Sequence, residues 1–540
     1  MPEFLWKNKV FIFLLIILAA AAFFRLWQLN SIPPGLYPDV AMNGNNAIET
    51  LKTGDFKVFY PENNGREGLM MWLIALSFSI FGVSIWSMKI VAATFGVLTV
   101  LGLYLLTKEL FSQILDDKQQ VETIALISSF LLATSFWHTN FSRIGFRAIL
   151  LPFILVFAFY FLFKGFRQKS ILDFIISGIF LGLGFYTYTP FRITAILFFF
   201  LLLWWFLYNL KIQKEISFLA KSTFAFLFLS FLIALPIGIY FLNHPQDFIG
   251  RAAGVSIFGQ ENSLQAFGES AGKHLGMFNL HGDDNWRHNY AGSPQLPWPV
   301  GILFLVGFLF VIFKGIYYAY YTPRNNDLTF VMSRNYGFLL LWFIFTLLPG
   351  ILTSEGIPHA LRTIGVIPVV YIFAGLGSWK IYQFFEKNTK RKWLLLTASL
   401  FLLFAISFSE FNKYFLDWGK NKEVEGAFTK RFSDIGYFLN SLPEETQKYV
   451  IVNESGVPVP FPDGIPMPAQ TIMFIENMKY GSLQSTYLLP KDLNQIKTDN
   501  IKTVILPMAF DENLFNEFKQ KFPQGEIEDK KDFQIYKVNF

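Results

Sequence analysis

The sequence predicts a helical protein that crosses a membrane about eleven times and carries a small α/β domain outside it. Three observations carry that expectation. Apolar runs long enough to span a bilayer recur through the first 410 residues. The chain is 53% hydrophobic with 66 phenylalanines, more apolar surface than soluble domains carry. After about residue 411 charge rises and apolar runs shorten to strand length. The expected domains are therefore a transmembrane domain over residues 1–410 and an extracytoplasmic domain over 411–540.

The expected spans are residues 9–29, 86–107, 121–138, 146–163, 171–187, 190–209, 222–242, 298–320, 335–352, 363–383 and 393–410. Residues 68–84 add an apolar stretch expected to lie along the interface. The first span has no small-residue cleavage site after it and reads as a signal anchor. With the N-terminus cytoplasmic, short inner loops hold Lys108, Lys118, Lys164, Arg167, Lys221, Arg334 and Lys387, as the positive-inside rule requires. An odd number of spans then puts the C-terminus outside, in a multi-pass protein of the cell membrane. The net charge of +6 follows from this topology, and no nucleic-acid partner is expected. With no cysteine, there is no disulfide framework, thiolate metal site or cysteine nucleophile.

The outer side differs in kind. Its basic residues before 411 are mainly arginines: Arg66, Arg143, Arg147, Arg192, Arg251, Arg287 and Arg362. A guanidinium can hold a phosphate with two hydrogen bonds, so this set points to an anionic ligand; pairing with loop carboxylates or lipid headgroups is the alternative. In the first loop Asp39 precedes an expected amphipathic helix over 41–53. It reads either as a helix cap or as a carboxylate that accepts a proton from an attacking hydroxyl. The polar turn through Arg66 and Glu67 follows, rich in asparagine and glycine, which suits a turn or hydrogen bonds to a sugar. Arg143 and Arg147 are four residues apart and would share one face if that stretch is helical. The later string with His281, Asp283, Asp284, Arg287 and His288 offers ligand types that suit a divalent cation, without the spacing of a tight metal motif. A structural or substrate-contact role is the other reading. Glu355, His359 and Arg362 sit together in a further loop, with Arg362 placed to meet a lipid phosphate.

In the C-terminal region Tyr449–Asn453, Thr471–Ile475, Thr503–Leu506 and Phe533–Val538 read as strands, and residues 423–441 and 512–522 as amphipathic helices. No nucleotide-binding glycine pattern or catalytic triad is present there.

Over roughly residues 10–385 the chain resembles the GT-C superfamily of membrane glycosyltransferases. The nearest branch is the family-39-like one that holds protein O-mannosyltransferases and lipid A aminoarabinose transferase. The residues that carry this are Tyr37-Pro38-Asp39 with the helix through Gly54-Asp55, Phe81-Gly82, Phe141-Ser142-Arg143 with Arg147, Gly282-Asp283 with Asn285 and Arg287-His288-Asn289, and Pro358-His359-Ala360-Leu361-Arg362. The resemblance implies a hexosyl or pentosyl transferase that takes a sugar from a polyprenyl-phosphate donor to a lipid, glycan or protein hydroxyl. It implies an inverting displacement with Asp39 as base. Substrate contacts are then sought among Arg66, Glu67, Arg143, Arg147, Asp283, Asp284, Arg287, His288, His359 and Arg362, with Arg143, Arg147 and Arg362 as phosphate candidates. No cofactor or metal ligand is assigned, although a divalent cation is possible. The chain departs from the family pattern in two places. Val40 stands where a second acidic residue often follows Asp39, and Gly65-Arg66-Glu67-Gly68 replaces the usual Lys-Pro-Pro string.

Two other classes compete. A transporter or lipid flippase calls for charges at mid-membrane and internal repeats. The spans read as nearly free of central charge, and no repeat is visible. A non-catalytic membrane scaffold would use the outer domain to bind a partner.

Overall fold

The computed structural model describes residues 3–212, 216–321, 327–460, 463–498 and 501–540. Among them, nine helices are long and apolar enough to cross a membrane, from Asn8–Leu26 to Lys392–Lys420. The remaining two expected spans take other forms. Residues 121–138 fall on a helix pair, Lys118–Thr134 and Phe136–Arg143, bent by 56°. Residues 171–187 form a 14-residue helix, Ile171–Gly184. At 1.5 Å per residue it is about 21 Å long, short of the ~30 Å hydrocarbon core. The expected interfacial stretch is the 13-residue helix Leu69–Phe81, which stops at Gly82 with φ +77°.

The bend has a chemical cause. Ser135 ends the first helix of the pair, and its hydroxyl accepts the His138 N–H that the second helix leaves unpaired. The Glu410 carboxylate accepts the Phe136 N–H at 2.6 Å. Two side chains thus satisfy the start of a new helix in the middle of an apolar run.

The chain divides into two compact units, residues 1–29 with 90–418 and residues 30–89 with 419–540. The first loop therefore groups with the C-terminal residues, a division other than the consecutive blocks 1–410 and 411–540.

In the membrane unit, Ile364–Asn388 is the most enclosed span, 78% buried, whereas Lys392–Lys420 is 11% buried and turns Phe401, Phe404 and Phe408 outward. An enclosed span needs close neighbours. A Cβ on Gly307 would lie 1.8 Å from the Phe373 carbonyl oxygen, and one on Gly377 would lie 1.9 Å from that of Leu303. These glycines let Trp298–Tyr321 and Ile367–Asn388 pack backbone to backbone.

The second unit holds a five-stranded sheet in the order Thr486–Leu488, Gln447–Ile451, Thr503–Pro507, Gln534–Val538, Glu526–Asp529. The first three strands are parallel and the last two join antiparallel. Three of the four expected strands are present. The fourth, Thr471–Ile475, lies within the helix Gln470–Tyr480. Its residues are buried on every side, so the sequence shows an apolar run with no alternation to separate strand from helix. The expected helix 423–441 is two helices, Lys422–Ala427 and Lys430–Ser441, broken where Thr429 takes a left-handed conformation.

The first-loop helix Pro38–Thr53 packs on Gln470–Tyr480. Asn45 donates to the Gln470 side chain at 2.8 Å and accepts from Asn477 at 3.0 Å. Gly44 makes the close approach possible, since a Cβ there would lie 2.5 Å from the buried Phe474 ring and 2.9 Å from the Met88 sulfur. Gly44→Val is expected to destabilise this unit by about 1–3 kcal/mol through overpacking. Thermal unfolding of the purified chain checks this, and an unchanged midpoint would mean that the two helices are not in tight contact.

Candidate functional site

In the second unit, the helix that carries Asp39 starts earlier than expected. Tyr37 is the N-cap and Pro38 the first helical residue, which places Asp39 inside the first turn instead of at the cap. The aligned N–H groups of that turn favour a carboxylate there. Asp39 is half-buried, and its Oδ1 accepts a 2.7 Å hydrogen bond from the Asn63 side-chain amide. Asn63 is presented by a turn in which Asn63, Asn64 and Gly65 have φ of +52°, +62° and +83°. Asparagine and glycine are the residues that tolerate this left-handed run. The same turn delivers Arg66, whose guanidinium donates to Asn43 and to Asn46, each at 2.7 Å, and lies 5.7 Å from the Tyr60 ring centre. Arg66 and Glu67 are both buried in a two-residue ladder with Phe59 and Tyr60. The structure thus places Arg66 as a clamp between the turn and the Asp39 helix.

In the membrane unit Arg143 and Arg147 do not share a helical face. The helix Phe136–Arg143 ends at Arg143, Gly145 follows with φ +80°, and Arg147 opens a new turn. Arg143 is fully buried. It donates to the Phe24 and Gln28 carbonyls at 3.0 and 3.1 Å and lies 5.0 Å from the Phe415 ring centre. Arg147 is half-buried, 5.4 Å from the Tyr188 ring centre. Arg287 and Arg362 are also half-buried, the latter bonded to the Glu355 backbone at 3.0 Å and its exposed carboxylate at 3.3 Å. The Arg251 side chain lies outside the described residues.

Beside Arg143 is a residue that the sequence reading passed over. Arg25, fully buried in the last turn of the first span, donates to the Ala133 carbonyl at 2.8 Å and meets His138 Nδ1 at 2.7 Å. An arginine inside an apolar run was the available signal.

The 281–289 string separates into two parts. His281 and Asp284 form an exposed pair at 2.9 Å. Asp283 and His288 turn inward, with His288 Nδ1 at 3.0 Å from Asp283 Oδ2. The same oxygen accepts the Ala360 N–H at 2.8 Å and lies 3.8 Å from His359 Nδ1, while Oδ1 accepts from Asn285 N at 2.8 Å. The three groups come from loops some seventy residues apart, so spacing within one loop could not reveal the cluster. His274 completes it: its Nε2 accepts the His359 N–H at 3.2 Å and its Nδ1 lies 2.8 Å from the Ser270 carbonyl. Burial holds the His274 imidazole below its usual pKa.

A family model described as dolichyl-phosphate-mannose-protein mannosyltransferase matches residues 69–234, under a third of the chain. The match takes in Phe141-Ser142-Arg143 but neither Asp39 nor the 282–289 and 358–362 strings. The sequence matches no curated protein. Among the solved structures that share the fold are two lipid-phosphate complexes. ArnT from Cupriavidus metallidurans bound to undecaprenyl phosphate is 11% identical, with 99% of this chain and 98% of that one covered and a TM-score of 0.53. The archaeal oligosaccharyltransferase AglB from Archaeoglobus fulgidus, in complex with an inhibitory peptide and a dolichol-phosphate, is 14% identical with a TM-score of 0.50. That match covers 82% of this chain, which spans only 62% of AglB. At these identities the likeness is one of fold. The chain shares that fold; its own architecture is a multi-pass helical domain with a small sheet-containing region towards the C-terminus.

The Arg143 guanidinium is spent on backbone carbonyls, so its removal has a measurable cost. Arg143→Ala strips the buried Phe24 carbonyl and the Gln28 carbonyl of a donor and removes the packing on Phe415. It is expected to destabilise the protein by about 2–5 kcal/mol, lowering its thermal midpoint by several degrees. Wild-type melting of Arg143→Ala, coupled with weaker binding of a polyprenyl phosphate, would instead make it a ligand residue.

Proposed function

We propose that this chain, built on the GT-C fold, is an inverting glycosyltransferase. It moves a hexose or pentose from a polyprenyl-phosphate carrier to a hydroxyl of a lipid, glycan or protein on the outer face of the cell membrane. The observation that carries this reading is Asp39, a half-buried carboxylate in the first turn of a clamped helix, oriented by a single amide hydrogen bond from Asn63. A general base needs a fixed position and a free lone pair. The Asn63 bond supplies the first and leaves the second, because a carboxylate accepts more than one hydrogen bond.

In the reaction, the acceptor oxygen attacks the anomeric carbon as its proton passes to Asp39. The bond from that carbon to the phosphate oxygen breaks, and the electron pair leaves with the lipid phosphate. A single displacement inverts the anomeric centre. The half-buried arginines Arg147, Arg287 and Arg362 are the guanidinium candidates for the charge that grows on the phosphate. Support for a polyprenyl donor comes from the two solved structures of like fold, one bound to undecaprenyl phosphate and one to a dolichol-phosphate. Such a donor stays in the bilayer, which accords with a chain that shows no soluble nucleotide-binding glycine pattern. The outward orientation follows from the bias of lysine and arginine in the short loops.

The test is transfer from a panel of radiolabelled polyprenyl-phosphate sugars by protein reconstituted in lipid, with membrane extract as acceptor source. Asp39→Asn is expected to fold and bind donor but to transfer about 10²–10⁴-fold more slowly. Wild-type rates in Asp39→Asn would remove Asp39 from the chemistry. No transfer and no donor binding by the wild type would remove the glycosyltransferase reading.

A further inference from the structure

We infer that Lys314 and Lys380 hold the phosphate of an anionic phospholipid at the end of the membrane unit opposite the 281–289 and 358–362 loops. Lys314 lies in the span Trp298–Tyr321 and Lys380 in the span Ile364–Asn388. The loops that lead into these spans meet where Asp283 accepts the Ala360 N–H, so both spans start at the same end and run in parallel. Lys314 and Lys380 each stand sixteen residues beyond the start of their span, about 24 Å along the helix. The hydrocarbon core is about 30 Å thick, so the two lysines share one level near its far edge. Side chains on a helix lean toward its N-terminus, here back into the apolar layer. Both ammonium groups turn to one ring, with Nζ 5.8 Å from the Phe310 centre for Lys314 and 4.7 Å for Lys380.

Two ammonium groups at this depth call for an anion. Among the described residues no carboxylate pairs with either. Carboxylates near the same end are engaged with other cations: Glu109 with Arg167, Glu122 with Lys108, Asp173 with Lys164 and Glu386 with Lys392. The Lys380 ammonium donates to the neutral Gln383 side chain at 3.2 Å, and the charges of Lys314 and Lys387 repel it. Aromatic faces attract a cation but leave its charge in place. A phosphate between the two lysines would remove their mutual repulsion and supply the missing counter-charge.

The surroundings fit a phospholipid. Next to Lys314, Phe313 and Ile316 are exposed, an apolar surface for acyl chains. Tyr317 and Tyr320, also exposed, follow in the last turns of the helix, and tyrosines in such a belt mark the level of the headgroups. The Lys314 Nζ lies 5.6 Å and 5.5 Å from the Tyr317 and Tyr318 ring centres, just below that belt. The lysine and arginine bias of the short loops makes this the cytoplasmic side. Anionic lipids are attracted to basic groups in that leaflet, and basic pockets between spans bind their headgroups.

The experiment uses the full chain, delipidated in detergent, with phosphatidylglycerol or phosphatidylcholine of the same acyl chains added back and bound lipid read by native mass spectrometry. Wild type is expected to bind phosphatidylglycerol about tenfold more tightly than phosphatidylcholine. Lys314→Gln and Lys380→Gln should each weaken phosphatidylglycerol binding about fivefold, the contribution of one lysine near a membrane surface. Lys221→Gln, which removes an exposed lysine from another span, should leave it unchanged. The double variant Lys314→Arg/Lys380→Arg keeps both charges and should retain the lipid, and melting in phosphatidylcholine identifies any variant that has unfolded. Equal binding of the two lipids by wild type, or full phosphatidylglycerol binding by a folded Lys314→Gln/Lys380→Gln protein, overturns the assignment. Neither readout involves sugar transfer, so the result is independent of the proposed activity.

Discussion

The arrangement around Asp39 depends on one packing contact, helix Pro38–Thr53 against helix Gln470–Tyr480. A 16-residue helix with three asparagines, one glycine and two threonines is marginal by itself in water. It persists because Val40, Ala41, Ala47 and Ile48 are buried within the unit and Gly44 admits the Phe474 ring. Hydrogen bonds hold the segment that leads into it: Leu36 donates to Ser433 and its carbonyl accepts from Thr429 and Thr471. The C-terminal residues therefore act within the same unit as the first loop. They are the scaffold on which the first loop acquires a fixed conformation, and the placement of the Asp39 carboxylate inherits that rigidity.

A different constraint governs the membrane unit, where charges are buried beside backbone carbonyls. Arg25 and Arg143 each bind carbonyls at the ends of other helices, and Glu410 meets a helix start. A helix broken inside an apolar layer leaves N–H and C=O groups that water cannot reach, and each unpaired group costs several kcal/mol. Arginine suits this work because its planar fork reaches more than one carbonyl at once. The same property makes arginine a phosphate ligand, so sequence alone could not assign Arg143 to one use or the other. Burial separates them: Arg143 is enclosed, whereas Arg147, Arg287 and Arg362 keep partial access to solvent.

The sequence made the spans legible because an apolar run of twenty residues has one physical meaning. It did not show the bend at Ser135, which depends on a carboxylate 275 positions away at Glu410 giving the second helix its start. Strands with clear boundaries were readable, as at Thr503–Pro507, while the fully buried 471–475 run carried no period to separate helix from strand. Asp39 was singled out by its position ahead of an amphipathic helix, but Asn63 was not, since its role depends on a left-handed turn that folds back over twenty-four residues. His359 was found as a loop residue and His288 as another. That they meet at Asp283 is a tertiary fact.

Val40 bears on what chemistry the first loop can support. It is 1% exposed and lies inside the packed face of its helix, so an acidic side chain there would lose its hydration. The absence of a second carboxylate beside Asp39 is thus a consequence of how this helix packs. With one carboxylate at that position, the proposed base has no acidic neighbour in the next residue of its helix. Proton transfer needs no more than this.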